Sequence, residues 1–252
     1  MKRLWWVLVS VAAASILTGI PSAFSEERVY INGIDLNFPP FAYLGENGAP
    51  DGFDVKAVEW IAREMGFKVK HQALDWEAMI AGLNEKNIDL ISSGMSVTDD
   101  RKEQVGFTIP YWTIERVLVA KRGSRLAVED ILSNRNKVGV QRGTTAAEWI
   151  EENLLKKVSG GFTLVYYDSA PLAIEDVVNG RIVAAAMNDI SAKDALKKMP
   201  VRIVGTFGMR SENLAYAVRK EDSKLLKMLN KGLKRLMASP YWGELKKKYD
   251  LE

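Results

Sequence analysis

Ile88-Asp89-Leu90-Ile91-Ser92-Ser93-Gly94-Met95-Ser96-Val97-Thr98-Asp99-Asp100-Arg101 passes from an apolar run, through small hydroxyl residues and a glycine, to a charged segment. Ile88 to Ile91 reads as a strand, and Asp99 onward as the start of a helix. Ser93, Gly94 and Ser96 let backbone approach a ligand and present amides and hydroxyls to it. Arg101 is a fixed cation able to grip a carboxylate with two parallel hydrogen bonds, which lysine cannot do. On these residues alone a plainer role is equally open, in which Arg101 pairs with Asp99 or Glu103 on a solvated helix.

Working outward, short β-rich runs alternate with amphipathic stretches. Val29 to Ile34 reads as a strand, Val55 to Met65 as a helix stopped by Gly66, Phe67 to Val69 as a strand and Trp76 to Glu85 as a helix. A second series follows: strand Lys137 to Val140, helix Thr145 to Lys157, strand Thr163 to Tyr166, helix Pro171 to Asn179, strand Ile182 to Ala186 and helix Asp189 to Lys198. The order β-α-β-α-β in both series predicts α/β architecture, two mostly parallel sheets covered by helices. Extended runs at Glu115 to Ala120 and Leu214 to Val218 read as crossings between the units. Helices Ser223 to Met237 and Pro240 to Lys248, the latter with Ser239 as its cap, close the chain. The expected division is residues 26–116 plus 219–252 for one lobe and 117–218 for the other. Ligands of open α/β sheets bind beyond the carboxyl ends of the strands, so the cleft between lobes is the expected site.

Two further stretches face that cleft in this reading. In Val140-Gln141-Arg142-Gly143-Thr144-Thr145, a strand turns through Gly143 into a helix whose first amides can hold an anion, although Thr144 or Thr145 can equally serve as a simple cap. In the aromatic segment from Asp35 to Tyr43, followed by Gly52-Phe53-Asp54, Phe38 and Phe53 can sandwich a ligand stem and Asp35 can meet a polar or cationic group. Core packing is the competing role for each ring.

The N-terminus sets the compartment. Lys2 and Arg3 precede an apolar run from Leu4 to Ile20, and Ala23 and Ser25 stand at the −3 and −1 positions of a signal-peptide cleavage site, giving a leader of residues 1–25. A membrane anchor is the alternative for a run of this length. With no cysteine in the chain, a lipid anchor and disulfides are both excluded. Net charge is +3, and loss of Lys2 and Arg3 leaves 33 basic against 32 acidic side chains, so nothing favours nucleic acid or an anionic membrane. A single histidine, His71, expected at the surface, argues against Ser-His-Asp catalysis and zinc. No metal or cofactor is expected.

GIDLNFPPFAY (33–43), GFDVKAVEWIA (52–62), Trp76 before MIAGL, ISSGMSVTDDR (91–101), FTIPYW, VGVQRGTTAAEW (138–149), NGRIVAAAMND (179–189) and AYAVRKED together resemble the polar amino-acid-binding family of bacterial periplasmic proteins. The resemblance spans the chain after the leader. It implies a type II periplasmic-binding-protein fold with a two-strand hinge, and a monomer that delivers an amino acid or analogue to the permease of an ABC transporter. It further implies that Arg101 holds the ligand carboxylate, that Gly94 and Ser96, beside Ser93, accept from the ammonium, and that Thr144 and Thr145 complete the carboxylate site after Gln141. Phe38 and Phe53 would be walls, and Asp35 would read the ligand side chain. The family aspartate that pairs with the ammonium falls on Asn188, with Asp189 one place later, and Val183 replaces another usual aspartate. Either Asp189 supplies the charge, or the ligand is not a standard α-amino acid.

Some relatives of that family are periplasmic dehydratases of prephenate-like acids, so an enzyme using Asp35, Asp189 or Glu148 is the alternative expectation. A receptor sensor or a cell-wall lyase would carry a further module, and none is read within these 252 residues.

Overall fold

The structure is a computed structural model that describes residues 28–156 and 161–251. The expected leader at residues 1–25 and the helix end expected at Lys157 lie outside the described residues.

Strand β1 (Val29–Ile34) leads into a small flap of three short strands, β2 (Asn37–Phe38), β3 (Ala42–Leu44) and β4 (Pro50–Asp51). Helix α1 (Phe53–Met65) follows, ended by Gly66 in the left-handed conformation as expected. Then come β5 (Lys68–Ala73), a 3-10 turn at Trp76–Ala78, α2 (Met79–Asn84) and β6 (Leu90–Ser96). Next are α3 (Asp99–Gln104), β7 (Val105–Phe107) and β8 (Trp112–Ile114). The second unit runs through β9 (Arg116–Lys121), α4 (Val128–Ile131), β10 (Asn136–Gln141), α5 (Thr145–Ile150), β11 (Phe162–Tyr167), α6 (Ala170–Val178), β12 (Ala184–Asn188), α7 (Asp189–Lys198) and β13 (Val201–Thr206). The chain then returns through β14 (Glu212–Arg219), α8 (Ser223–Met237) and α9 (Pro240–Lys248).

The first sheet has the order β5-β1-β6-β14-β7, with β8 also paired to β14. The second has the order β11-β10-β12-β9-β13. In each, three parallel strands are joined by antiparallel ones: β14 runs against β6, and β9 against β12. Helices cover the sheets. Leu225, Leu229, Leu233 and Leu236 recur along α8 at three- and four-residue steps and are wholly buried, packing with Val58 and Ile61 of α1. Each fully buried leucine contributes about 1.5–3 kcal/mol. No helix among the described residues is long and apolar enough to cross a membrane.

The chain passes between sheets at Glu115 and again over residues 207–211. The second passage was expected within Leu214 to Val218, with the lobe boundary after residue 218. Those residues instead form a buried strand of the first sheet, because an apolar run reads the same in a central strand as in a crossing. Strand β6 reaches Ser96 rather than stopping at Ile91. All seven of its residues are buried between helical layers, so its serines belong to the strand end. The helix expected from Thr145 to Lys157 is α-helical only to Ile150 and continues as a π-turn over Glu151–Leu155. Ser239 precedes α9 but does not cap it, since its hydroxyl donates to Leu236 O at 2.7 Å. His71, expected at the surface, is only partly exposed, its ring lying against Asn32 (3.1 Å) and Glu59 (3.4 Å).

Candidate functional site

The ends of β1, β6 and β10, with the starts of α3 and α5, converge on one recess between the sheets. Asp35 follows β1 directly. Its amide donates to Ser93 Oγ (3.0 Å), and its Oδ1 accepts from the Asn37 amide (2.9 Å). Its Oδ2 accepts from Gln141 Nε2 of the second unit at 3.0 Å. Burial pushes this carboxyl above the ordinary aspartate range, and among the described residues no cation pairs with it. Gln141 also donates to Asp168 O (3.3 Å), so its amide is fixed from two sides.

Arg101 stands one turn into α3, whose start is capped by Thr98. Its guanidinium donates to Ser96 O and to Gly143 O, each at 3.2 Å, and lies 5.4 Å above the Trp76 ring. Asp99 is taken instead by Lys102 at 2.8 Å, so the exposed pairing open on sequence grounds is not made. Arg101 is a buried cation whose partners are carbonyls. Gly143 can offer its carbonyl to both Arg101 and Trp76 Nε1 (2.8 Å) because it adopts φ 67°, a left-handed conformation that glycine tolerates.

A second arginine, which sequence reasoning missed, completes the floor. Arg116 Nε donates to Glu212 Oε2 at 2.7 Å, and its Nη2 donates to Ser96 Oγ (3.1 Å) and Thr145 Oγ1 (2.7 Å). Thr145 Oγ1 in turn donates to Glu212 Oε2 at 3.0 Å. The available signal was a charge at the head of an otherwise apolar strand, Arg116 before Val117-Leu118-Val119-Ala120. Thr144 does cap α5, accepting from the Ala147 amide at 3.3 Å and donating to Gln141 O at 2.7 Å.

Phe38 walls the recess. Its ring packs so closely on Gly94 that a Cβ there would stand 2.2 Å from Phe38 Cε1, and Gly94 also has φ 61°. Behind Gly94, Asp54 Oδ2 accepts from the Gly94 amide and from Tyr111 Oη, both at 2.7 Å. Phe53 is not a wall. It is fully buried in the core of the first unit, against Phe41, Tyr111, Trp112 and Trp242. As the first residue of α1 it points inward, and sequence could not tell that face from the cleft face.

Asn188 and Asp189 are not among the residues lining the recess. Asn188 caps α7: Oδ1 accepts from the Ser191 amide (2.8 Å) and Nδ2 donates to Ser191 Oγ (3.1 Å). Asp189 accepts from the Glu115 amide at 3.0 Å and pairs with Lys193 at 3.1 Å. Ser191 Oγ donates across the cleft to Pro39 O at 2.8 Å.

The units are closed on each other, leaving a cavity of about 30 Å³ at the recess. Ligand pockets hold roughly 300–1,000 Å³, so entry requires the units to part. Beyond the outer face of Phe38 lies a larger apolar cavity of about 180 Å³, between Pro39 and Pro171, Ile174, Met187 and Met199. Asp194 and Lys198 at the edge of that larger cavity are paired with each other at 2.8 Å, whereas Arg101 and Asp35 line the smaller one.

The model of the bacterial extracellular solute-binding proteins, family 3, matches residues 30–252. A probable histidine-binding protein of Neisseria gonorrhoeae is 28% identical over 227 residues, 88% of this chain and 83% of that one. An L-arginine-binding protein of Pseudomonas aeruginosa is 30% identical over 260 residues, covering 99% and 96%. Among solved structures, an ancestral amino acid-binding protein described as a precursor of cyclohexadienyl dehydratase superposes with a TM-score of 0.80 at 29% identity, covering 88% of this chain and 95% of its own.

Proposed function

The chain belongs to the bacterial extracellular solute-binding proteins of family 3, and from that membership we propose how its recess is used. The protein binds an amino acid between its two lobes in the periplasm and presents it to the permease of an ABC transporter. One observation carries the ligand reading: the recess buries a cation, Arg101, and a carboxylate, Asp35, and among the described residues neither forms an ion pair, Glu148 acting on Arg101 only from the neighbouring cavity. A zwitterion with a second cationic group, as in arginine, answers both. Arg101 takes the carboxylate, Phe38 and Trp76 flank the stem, and Asp35 with Gln141 holds the cationic end.

Capture works by closure. Asp35, Ser96 and Arg101 come from the first lobe, and Gln141, Thr144 and Thr145 from the second, so a ligand reaches its full set of partners only when the lobes meet. The ligand therefore shifts the population to the closed form, which the transporter reads. Export by cleavage after Ser25 and action as a monomer complete the proposal.

Titration calorimetry with arginine, lysine, ornithine and histidine tests it on chain that has been unfolded, stripped and refolded. Binding that Arg101→Ala abolishes supports the assignment, and unchanged affinity in that variant contradicts it. Incubation with prephenate or arogenate separates transport from dehydration, since turnover would move the function to an enzyme.

A further inference from the structure

The near-neutral balance after the expected leader, 33 basic against 32 acidic side chains, gave no reason to expect an anionic membrane as partner. Those charges are not evenly spread. Between Ser223 and Gly243 stand five cations, Lys224, Lys227, Lys231, Lys234 and Arg235, and no acidic residue. All five are exposed on α8. At 3.6 residues and 5.4 Å per turn they fall within an arc of about 100° and run about 17 Å along the helix. The buried Leu225, Leu229, Leu233 and Leu236 take the opposite side.

Helix α7 shows how lysines are treated elsewhere in the chain. Lys193 pairs with Asp189 (3.1 Å), Lys198 with Asp194 (2.8 Å), and Lys197 with Asp250. Among the described residues, none of the five cations of α8 has such a partner. Like charges three and four residues apart on a helix repel one another. The bare face therefore works against α8, and an anionic partner would relieve it.

The kind of partner follows from what the face lacks. Protein interfaces are centred on buried aromatic or apolar anchors. Of the side chains exposed along α8, Met237 alone is a large hydrophobe, and it stands at the helix end. A row of cations with nothing apolar among them matches a layer of anionic headgroups. We propose that the outer face of α8 docks on an anionic lipid surface, by charge and without insertion, through Lys224, Lys227, Lys231, Lys234 and Arg235. None of the five lines the recess, so docking is independent of what the recess holds.

Co-sedimentation tests this with vesicles of phosphatidylcholine, pure or mixed with an equal share of phosphatidylglycerol. At low salt the chain is expected to pellet with the mixed vesicles and not with the pure ones. Each cation near such a surface strengthens binding about fivefold, so the triple variant Lys224→Gln, Lys227→Gln, Lys231→Gln is expected to bind about a hundredfold more weakly. Glutamine has nearly the helix propensity of lysine, and an unchanged far-UV signal checks that α8 persists. The α7 variant Lys193→Gln, Lys197→Gln, Lys198→Gln loses the same charge and is expected to bind as wild type does. Raising ionic strength from about 0.01 M to about 1 M, which shortens the screening length from about 30 Å to about 3 Å, should release the wild-type chain. No binding to the mixed vesicles, equal binding to the pure ones, or an equal loss in the α7 variant would each overturn the proposal. A chain that ignores both vesicles but binds polyglutamate through the same lysines would overturn it in favour of an acidic protein partner.

Discussion

Arg116 and Glu212 form an ion pair 2.7 Å long where the two chain passages between the lobes come together. Arg116 opens the first strand of the second sheet and Glu212 the returning strand of the first, and their side chains are 9% and 10% exposed. The same guanidinium binds Ser96 and Thr145, one residue of the recess from each lobe. The hinge and the floor of the site are thus a single hydrogen-bonded unit.

Removing one partner leaves a buried charge without compensation, a cost of about 3–5 kcal/mol. Glu212→Ala is expected to lose that much stability in urea unfolding. The double variant Arg116→Met, Glu212→Met is expected to lose much less than the sum of its single changes. Additive losses would show that the pair does not act as a unit.

Arg101 should be intolerant even of lysine. Its guanidinium spans carbonyls on both lobes, 3.2 Å each way, and a lysine ammonium lacks the planar fork. Arg101→Lys is expected to weaken amino-acid binding about tenfold or more, read by calorimetry, with little change in unfolding midpoint. Equal binding by both proteins would remove Arg101 from the carboxylate site.

Gly94→Ala combines two faults, a left-handed backbone and a Cβ 2.2 Å from Phe38 Cε1. A non-glycine residue in that conformation costs roughly 1–2 kcal/mol. The displaced Phe38 ring should in addition lower ligand affinity. Adding Phe38→Ala is expected to relieve the clash but not the backbone cost, so stability recovers only in part. Complete recovery would put the whole effect in the ring.

Asp54 makes stability depend on pH in a direction opposite to that of a paired surface carboxylate. Burial pushes its carboxyl up to about 7, only partly offset by the Tyr111 and Gly94 hydrogen bonds. The folded state thus holds the proton more tightly than the unfolded chain, whose value is near 3.8. That contribution is fully present below the unfolded value and is lost as pH rises through the folded one. Between pH 5 and pH 8 the wild type should lose about 2–3 kcal/mol relative to Asp54→Asn, at 1.36 kcal/mol per unit. Parallel pH profiles for the two proteins would place the charge of Asp54 elsewhere in the balance.

Ligand affinity carries a separate pH signature. Burial raises the Asp35 carboxyl, and a cation placed against it would drive off the proton. Affinity for arginine should therefore rise with pH through the titration of Asp35 in the free protein, with proton release visible as a buffer-dependent heat. A heat that does not vary with buffer would contradict a cation at Asp35.

Some of the molecule was legible from pattern alone. Val29–Ile34, Asp189–Lys198, Ser223–Met237 and Pro240–Lys248 have the bounds that apolar periodicity announces. Asp35, Phe38, Ser93, Gly94, Ser96, Arg101, Gln141, Thr144 and Thr145 come together in the recess because each lies at a strand end or helix start, positions that local sequence marks. What depends on distant pairing was not legible. Arg116 and Glu212 are 96 residues apart in the chain, and nothing local in either announces the other. Phe53 was misread because an aromatic at the first position of a helix has the same neighbours in sequence whether it faces core or cleft. Asn188 and Asp189 were expected at the site, but the geometry of a cap turns one to Ser191 and the hinge holds the other.

Thermal shift on refolded chain against the twenty amino acids, ornithine and prephenate decides whether the recess is an amino-acid site. Ligand at a hundred times its dissociation constant adds about 2.7 kcal/mol of stability. Arginine, lysine or ornithine should raise the unfolding midpoint clearly, with no rise in Arg101→Ala. A midpoint unmoved by every amino acid, or moved equally in Arg101→Ala, would contradict it.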